Sequence, residues 1–172
     1  MTTITHAEVS PVTPDSQSFL LKRIQPALSG LMDGSLSTLA PIFAVVLATH
    51  HPLTAFFAGA ATALGAGVSM AFSEGLSDTG DLTGRGNPVL RGAITGGGTF
   101  LGGIFHTLPF LIPGYGAAIS AAIIVVASEL LTLAWLRHKY FQTSFARSSV
   151  AVAVGGAIIA SLSAALGVLA AG

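Results

Sequence analysis

The sequence contains no cysteine and few charged residues. Without cysteine, the chain can form neither disulfides nor a catalytic or metal-binding thiolate. Lys, Arg, Asp and Glu together make up 8% of the 172 residues, against roughly 25% in typical soluble domains. A soluble chain of this length exposes much of its surface to water, and seven acids and seven bases are too few to cover it. The net charge of zero also provides no field that would attract nucleic acid.

Long apolar runs accompany the shortage of charge. Hydrophobic residues account for 52% of the chain, and a helix needs about 20 such residues to cross a bilayer core. Residues 1–26 are polar, lack the apolar core of a signal peptide and predict a disordered cytoplasmic tail. Residues 27–172 predict an all-α, polytopic membrane domain. Its five candidate transmembrane helices are Ala27–Thr49, Leu53–Ser77, Gly92–Ile112, Ala117–Leu136 and Ser148–Ala171.

The basic residues indicate how these five spans are oriented. If the N-terminus is cytoplasmic, every Lys and Arg falls on the cytoplasmic side, and the outer turns at 50–52 and 113–116 hold none. This is the positive-inside pattern, so we expect the N-terminus inside and the C-terminus outside. The bases on the inner side are Lys22, Arg23, Arg85, Arg91, Arg137, Lys139 and Arg147.

Small residues recur at intervals of four in two of the spans. Gly98 and Gly102 form one such step, and Gly59, Ala63 and Gly67 form another. In lipid, small residues at this spacing let two helix backbones approach closely. The two ridges could pack the helices of one chain together or form a dimer interface, and the sequence alone leaves both open.

Three acidic residues lie within or near the predicted spans. Asp33 is ten residues past Arg23, about 15 Å along a helix, and Glu129 is eight residues before Arg137, about 12 Å. Glu74 lies near the inner end of the second span. A charge in hydrocarbon costs at least about 2.5 kcal/mol, and the sequence suggests no base at comparable depth. The acids are therefore predicted to be protonated, to line water or to bind a cation.

Met70 lies four residues before Glu74, so the two side chains share one helical face. A thioether beside a carboxylate suits a borderline metal such as Fe²⁺ better than Mg²⁺ or Ca²⁺. Met in an apolar helix is equally an ordinary packing residue. For Met70 the sequence alone leaves both interpretations open.

Four further residues are candidates for an ion path or a proton relay. His106, in the third span, could relay protons or could hydrogen-bond to a neighbouring helix, and Glu129 could take part in the same relay. Asp78 and Asp81 follow the second span. They could gather cations at a cytoplasmic entrance or be ordinary polar loop residues.

Three short stretches carry a family resemblance. They are the pair Asp33-Gly34, the run AGVSMAFSEGLS at 66–77, and Asn87-Pro88 leading into a Gly-rich helix that ends with Leu-Pro-Phe at 108–110. Their order from residue 28 to residue 171 resembles the vacuolar iron transporter family, which includes bacterial membrane-bound ferritin-like relatives. The resemblance implies five transmembrane helices, a homodimer, and export of Fe²⁺ and often Mn²⁺ from the cytosol in exchange for protons.

The resemblance also implies a metal site made of Asp33, Met70 and Glu74, the last two in the pattern S-M-x-x-x-E. It implies no resident cofactor, since Fe²⁺ or Mn²⁺ would be the transported substrate. The chain departs from the family in three places. At the N-terminus, 26 polar residues stand where the bacterial ferritin-like relatives have an iron-binding domain. The link from Asp78 to Arg91, about 14 residues, is too short for the cytoplasmic metal-binding segment of the eukaryotic members. Gly75 stands where the family has an aromatic residue.

Nothing in the sequence suggests an enzyme, because it has no H-E-x-x-H, G-x-S-x-G or nucleotide-binding motif, and the resemblance implies a transporter. We expect a divalent metal exporter that works by proton antiport in a bacterial inner (cell) membrane, with the lipid bilayer, protons and a second copy of the chain as partners. Two other functions fit the same features. One is proton-coupled transport of a different solute. The other is a structural membrane subunit whose Gly-rich helices pack against a partner.

Overall fold

The computed structural model describes residues 14–81 and 83–171, and this part of the chain folds into five helices without a β-strand. Each predicted span corresponds to one helix, which confirms the all-α prediction. Helix α1 has three successive segments: Pro14–Phe19, a π-helical turn Leu20–Ile24, and Gln25–Thr49. The others are α2 (Pro52–Gly75), α3 (Pro88–Thr107), which a 3₁₀ turn (Leu108–Leu111) follows, α4 (Tyr115–Phe141) and α5 (Phe145–Ala171).

The tail predicted to be disordered over residues 1–26 is helical from Pro14 onward, so that part of the prediction is wrong. Residues 1–13 lie outside the described chain. Asp15 sits in the first turn of the helix, where a negative charge interacts favourably with the helix dipole. The π-helical turn comes just before Pro26. A proline cannot donate the i−4 hydrogen bond, and a widened turn is a usual way to accommodate the missing bond.

Helix boundaries in the structure follow the local turn chemistry. Helix α1 ends where His50 adopts the left-handed conformation, with φ of 56°, and α2 begins directly afterwards at Pro52, a favoured first helical residue. Helix α3 begins after Asn87, whose side chain accepts a hydrogen bond from the Leu90 N–H at 3.0 Å. That N-cap and the proline that follows it fix where α3 starts.

Helix α3 packs closely against α1 through its glycines. A Cβ atom added at Gly98 would lie 2.8 Å from the Ala27 carbonyl oxygen, and one added at Gly102 would collide with the backbone of Leu31. Real Cβ atoms do not approach backbone atoms this closely, so only glycine fits at either position. The Gly98–Gly102 step is therefore used within the chain, as a contact between α1 and α3.

The second small-residue ridge packs against the opposite side of α3. A Cβ at Gly67 would lie 3.0 Å from the Gly96 carbonyl oxygen, and a Cβ at Gly103 would lie 2.8 Å from the Ala63 Cβ. Helix α3 is thus held between α1 and α2, with backbones in near contact on both sides. Since both ridges are occupied inside the chain, the homodimer implied by the resemblance needs another surface, and it stays a prediction.

Four of the five helices, α1, α2, α4 and α5, are long and apolar enough to cross a membrane. Helix α3 is less apolar, and its position explains why. Ten of its 20 residues are buried, against four of 24 in α2. A helix surrounded by other helices contacts protein more than lipid, so it can carry Gly, Thr and His where a lipid-facing helix needs bulky apolar side chains.

The distribution of side-chain size also fits a membrane protein. Bulky apolar residues lie outside, as in Phe72, which is 65% exposed, and Leu169, which is 78% exposed. Small polar residues such as Ser35, Thr95 and Thr99 are buried at 1% exposure or less. Soluble proteins show the opposite arrangement. The four long apolar helices together with this inverted surface fit an integral membrane protein.

Candidate functional site

Glu129 lies at the middle of α4, deeper than the sequence suggested. The helix continues to Phe141, so Glu129 is 14 residues from its start and 12 residues from its end. At 1.5 Å per residue, these intervals are about 21 Å and about 18 Å. Glu129 is therefore close to the middle of α4.

Side chains from three helices meet at Glu129. The Ser35 hydroxyl of α1 is in hydrogen-bond contact with Glu129 Oε1. On the other side, His106 Nδ1 of α3 lies 3.3 Å from Glu129 Oε2. Ser35 and His106 are both buried, at 0% and 1% exposure. The result is a carboxyl, an imidazole and a hydroxyl group in contact where α1, α3 and α4 meet.

The hydrogen bonds of Ser35 indicate the protonation state of Glu129. The Ser35 hydroxyl lies 2.7 Å from the Leu31 carbonyl oxygen as well as in contact with Glu129 Oε1. A hydroxyl has one proton, whereas a carbonyl or an ionised carboxylate has none to donate. Unless Ser35 shares its one proton between both acceptors, a protonated Glu129 donates to Ser35 and leaves Ser35 to donate to Leu31. The geometry therefore fits a neutral Glu129.

Two atoms of this cluster have no hydrogen-bond partner among the described residues: Glu129 Oε2 and His106 Nε2. His106 Nδ1 lies 2.9 Å from the Gly102 carbonyl oxygen, so in the neutral ring the proton is on Nδ1 and Nε2 has a free lone pair. Buried polar atoms without a partner are rare in folded proteins. Here they are two positions where a further proton or ligand could bind.

A second polar cluster lies where the end of α2 meets the start of α3. Glu74 Oε1 accepts hydrogen bonds from Arg85 Nη2 and from Arg91 Nε, both at 2.5 Å. Asp78 Oδ2 lies 3.3 Å from Arg91 Nη2 and 3.4 Å from Arg85 Nη1. The Arg91 side chain is only 1% exposed. This network of two acids and two bases ties the loop between α2 and α3 to the helix ends.

Asp78 is held in its ionised form by the network. Partial burial acts to raise its pKa, but hydrogen bonds from the Thr83 hydroxyl and the Gly80 N–H and the charges of Arg91 and Arg85 outweigh it. The pKa of Asp78 is therefore lower than its ordinary value of 3.8. Each of these interactions favours the charged carboxylate, so Asp78 belongs to the loop structure and faces its bases.

The expectation that no base lies near the depth of Glu74 is wrong. Arg91 begins α3 beside the end of α2, and the loop folds Arg85 back onto the same carboxylate. A metal ion at Glu74 would have to displace these guanidinium groups or use the other carboxylate oxygen. A metal-ligand role for Glu74 stays a prediction, and its observed partners are cationic side chains.

Asp33 lies in a different environment from the other acids in the helices. It is half-buried in α1, eight residues after Gln25, or about 12 Å along the helix. Within residues 14–81 and 83–171, its carboxylate makes no hydrogen bond or ion pair. The next residue, Gly34, is pressed against the backbone of Thr99 in α3. Since successive helical residues are about 100° apart, Asp33 points away from that contact.

The remaining predicted site residues are not joined to Asp33 by a polar contact in the described chain. Met70 is half-buried on α2, and it lies on the same face of that helix as Glu74. Asp81 is exposed in the loop, and no described base pairs with it. Met32, beside Asp33, instead lies with its sulfur 3.8 Å from Arg137 Nη1. No group of three or more His, Asp or Glu that could hold a metal ion exists among the described residues.

A site of Asp33, Met70 and Glu74 includes only two such residues and stays a prediction. Two other residues were missed by sequence reasoning. Ser35 was not singled out, although it follows Asp33 by two residues and is the hydroxyl that contacts Glu129. Arg91 was counted only as an orientation signal. The sign available in the sequence was a base near the start of the third predicted span. Arg91 comes 17 residues after Glu74 and is bonded to it in the structure.

Comparison with known proteins gives no relative. No protein-family model matches the chain, and no curated protein and no solved structure is significantly similar to it. The likeness to the vacuolar iron transporter family thus consists of the short motifs alone. Function is inferred below from the chain's own side chains and their contacts.

Proposed function

We propose that the chain is an integral membrane transporter that moves a divalent metal ion, Fe²⁺ or Mn²⁺, out of the cytosol in exchange for protons. In this proposal all five helices cross the bilayer, with α3 as an inner span enclosed by α1 and α2. The N-terminus is cytoplasmic in this proposal, because every Lys and Arg then lies on the cytoplasmic side of the membrane. The identity of the metal and the outward direction follow from the motif resemblance.

The observation that carries the proposal is the unpaired carboxylate of Asp33. It lies inside a candidate membrane span, where an uncompensated charge costs at least about 2.5 kcal/mol. No base in the described chain neutralises it. A carboxylate in this position is stabilised when it binds a proton or a cation, and alternation between the two is the basis of a cation–proton exchange.

The resemblance pairs Asp33 with Met70, and this pair suggests which cations the site would accept. A carboxylate oxygen together with a thioether such as Met70 favours a borderline divalent metal over Mg²⁺ or Ca²⁺. Glu74 contributes to the site in a different way, since its carboxylate is bound by Arg85 and Arg91. In the proposal Asp33 is the cation-binding residue, Met70 of α2 is the soft ligand that the resemblance assigns to the same site, and Glu74 anchors the inner end of α2.

Metal flux into proteoliposomes tests this function. Wild-type protein should transport Mn²⁺ and Fe²⁺ when a proton gradient is imposed, and Asp33→Asn should abolish the flux. Asp81→Asn is the matched control, because it makes the same chemical change at an exposed loop residue and should leave transport intact. Equal flux in the wild type and Asp33→Asn would show that Asp33 is not the cation site.

A second candidate is proton-coupled transport of a different solute. It is favoured by the pairing of Glu74 with two arginines, which removes one of the three ligands that the resemblance implies. Titration of the purified protein in detergent separates the two candidates. Metal export requires saturable binding of Mn²⁺, Fe²⁺ or Co²⁺ that is lost in Asp33→Asn, whereas the second candidate predicts no such binding by the wild type.

A further inference from the structure

The cluster at Glu129 has contacts that neither packing nor the cation site at Asp33 explains. Glu129 is near the middle of a 27-residue apolar helix, where polar groups are costly and need a reason. Its partners come from two other helices, Ser35 from α1 and His106 from α3. The described structure therefore brings together, from distant parts of the sequence, groups that exchange protons.

We propose that Glu129 is the proton-carrying residue of the exchange, with Ser35 and His106 as the groups that position it. This inference rests on the proposed function, because it assigns the proton half of the cycle to a site separate from Asp33. Glu129 is the group that gains and loses the proton. Ser35 holds the protonated form by accepting its O–H, and His106 faces the second carboxyl oxygen.

Hydrogen-bond geometry gives the two states of the site. With Glu129 protonated, its O–H donates to Ser35, and Ser35 donates to the Leu31 carbonyl oxygen. When Glu129 loses the proton, the Ser35 O–H must turn to the carboxylate, and the Leu31 carbonyl oxygen loses this donor. The resulting negative charge lies 3.3 Å from the His106 ring, where an imidazolium would neutralise it.

His106 is suited to this role by its own hydrogen bonds. The contact with the Gly102 carbonyl oxygen places a proton on Nδ1, which leaves Nε2 as a buried lone pair without a partner in the described chain. A proton added at Nε2 would make the ring cationic. The proton that Glu129 loses could therefore be held by His106 with no change in the net charge of the site, and its release from His106 would then complete the loss of one proton.

No other titratable group faces Glu129 from the helices packed around it. On α1, Asp33 is two residues before Ser35, about 200° around the helix, and so lies on the opposite side. Helix α5 has Arg147 near its start and no titratable residue after it. On α4 itself, the nearest base is Arg137, two turns away, which contacts Met32. His106 is thus the partner that governs the charge of Glu129.

The position of α1 gives a physical link between the two sites. Asp33 and Ser35 are on opposite sides of the same helix, so a shift of α1 that changes access to Asp33 also changes the contact between Ser35 and Glu129. Glycines form the contact between α1 and α3, at Gly30 and Gly34 on one helix and Gly98 and Gly102 on the other. Such a contact lacks interlocking side chains that would resist a shift.

Infrared spectroscopy of the protein in lipid tests the proton site without any metal. The measurement uses Asp33→Asn as the starting protein, so that a proton on Asp33 contributes no band. At neutral pH this variant should show the C=O stretch of a protonated carboxyl group, a further Glu129→Gln change should remove it, and a further Ser35→Ala change should shift it because the carboxyl group loses its hydrogen-bond partner. Absence of the band in Asp33→Asn, or its persistence after Glu129→Gln is added, would overturn the proposal.

Flux measurements then separate this proposal from the proposed function. Glu129→Gln should bind Mn²⁺ with wild-type affinity but lose the flux driven by a proton gradient, whereas Asp33→Asn should lose binding itself. Ser128→Ala is the matched control on α4, since Ser128 is exposed and bonds only within its own helix. Proton-driven Mn²⁺ flux in Glu129→Gln would refute the inference. No Mn²⁺ flux in the wild type would refute the proposed function, while the infrared band still decides whether Glu129 binds a proton.

Discussion

Asp33, Glu74 and Glu129 are all acids in apolar helices, and each is accommodated by a different physical means. Glu74 is neutralised by two arginines near the helix end. Glu129 is in a position where the bonds of Ser35 fit a protonated carboxyl group. Asp33 has neither a base nor a hydroxyl partner in the described chain. In our proposal, Glu74 accordingly anchors the helix end, Glu129 binds a proton and Asp33 binds the cation.

Replacement of Arg91 should destabilise the protein strongly. Arg91 is almost completely buried and bonds to Glu74 and to Asp78, so Arg91→Met leaves two carboxylates short of a partner. Removal of one member of a buried ion pair costs about 3 kcal/mol or more. The free energy of unfolding in detergent should fall by that amount.

Arg147→Met is the control for this measurement. Arg147 is exposed and makes no ion pair within the described chain, and changes at such positions usually stay within about 0.5 kcal/mol. Combining Arg91→Met with Glu74→Leu should also cost less than the two separate losses added together. Equal stability of Arg91→Met and Arg147→Met would contradict a stabilising role for the network.

The lowered pKa of Asp78 predicts how the stability of the protein should change with pH. Because its pKa in the folded chain is lowered from 3.8, its stabilising contribution is fully present above that ordinary value. The contribution is lost as the pH falls through the lower pKa of the folded state. The wild type should therefore have a higher Tm than Asp78→Asn at pH 6, and the difference should shrink as the pH falls below 3.8 and disappear below the lower pKa of the folded state. A difference that persists or grows in acid would contradict the lowered pKa.

The described site could be predicted from the sequence only in part. Asp33 and Glu129 are visible as charges in apolar runs, because that cost is local to one helix. The contact between Ser35 and Glu129 joins residues 94 positions apart, and it depends on how α1 crosses α4. The pairing of Arg91 with Glu74 depends on a loop conformation that spacing alone does not give. Contacts that arise from tertiary packing were therefore the ones missed.

At the scale of helices, the glycines of α3 determine how the bundle is built. Helices α1 and α2 approach its backbone from two sides, and a side chain at these contacts would push the helices apart. The sequence showed the ridges on α2 and α3 but not their partners, because the spacing of small residues marks a close-packing face without saying what covers it. The structure supplies the partners, since α3 covers the ridge on α2 and α1 covers the Gly98–Gly102 step of α3.

Two adjacent glycines in α3 should respond oppositely to the same substitution. Gly98→Ala would put a Cβ 2.8 Å from the Ala27 carbonyl oxygen, and overpacking of this kind costs about 1–3 kcal/mol. Gly97→Ala meets nothing within 4 Å and exchanges Gly for a better helix former, worth up to about 1 kcal/mol. Thermal unfolding should place Gly98→Ala below the wild type and Gly97→Ala level with it or above. The reverse order would show that α1 and α3 are not in close contact there.

Across the whole molecule, bulky apolar side chains face outward and Gly, Ser and Thr lie inside, an arrangement that fits an integral membrane protein. In a bilayer most of this surface would meet hydrocarbon, so few charges would be needed. The burial of α3 between α1 and α2 also explains why the four other helices are long and apolar enough to cross a membrane while α3 is less apolar. Five crossings with the N-terminus inside stay a prediction from the sorting of Lys and Arg, and labelling tests it.

Single cysteines can test the topology without background labelling, because the natural chain has no cysteine. Gly116→Cys lies in the first turn of α4 and Thr79→Cys lies in the loop between α2 and α3, and both positions are exposed. With five spans and the N-terminus inside, a membrane-impermeant maleimide should label position 116 in intact cells. Position 79 should react only after permeabilisation. Labelling of both positions from outside, or of position 79 alone, would contradict this topology.

The coupling of metal to protons is the central claim, and counterflow in proteoliposomes tests it most directly. A Mn²⁺ gradient is imposed on the wild-type protein without a pH gradient, and a pH-sensitive dye reports proton movement. The account predicts protons moving against the direction of Mn²⁺, with this counterflow lost in Asp33→Asn and in Glu129→Gln. Mn²⁺ movement without a proton counterflow in the wild type would contradict it.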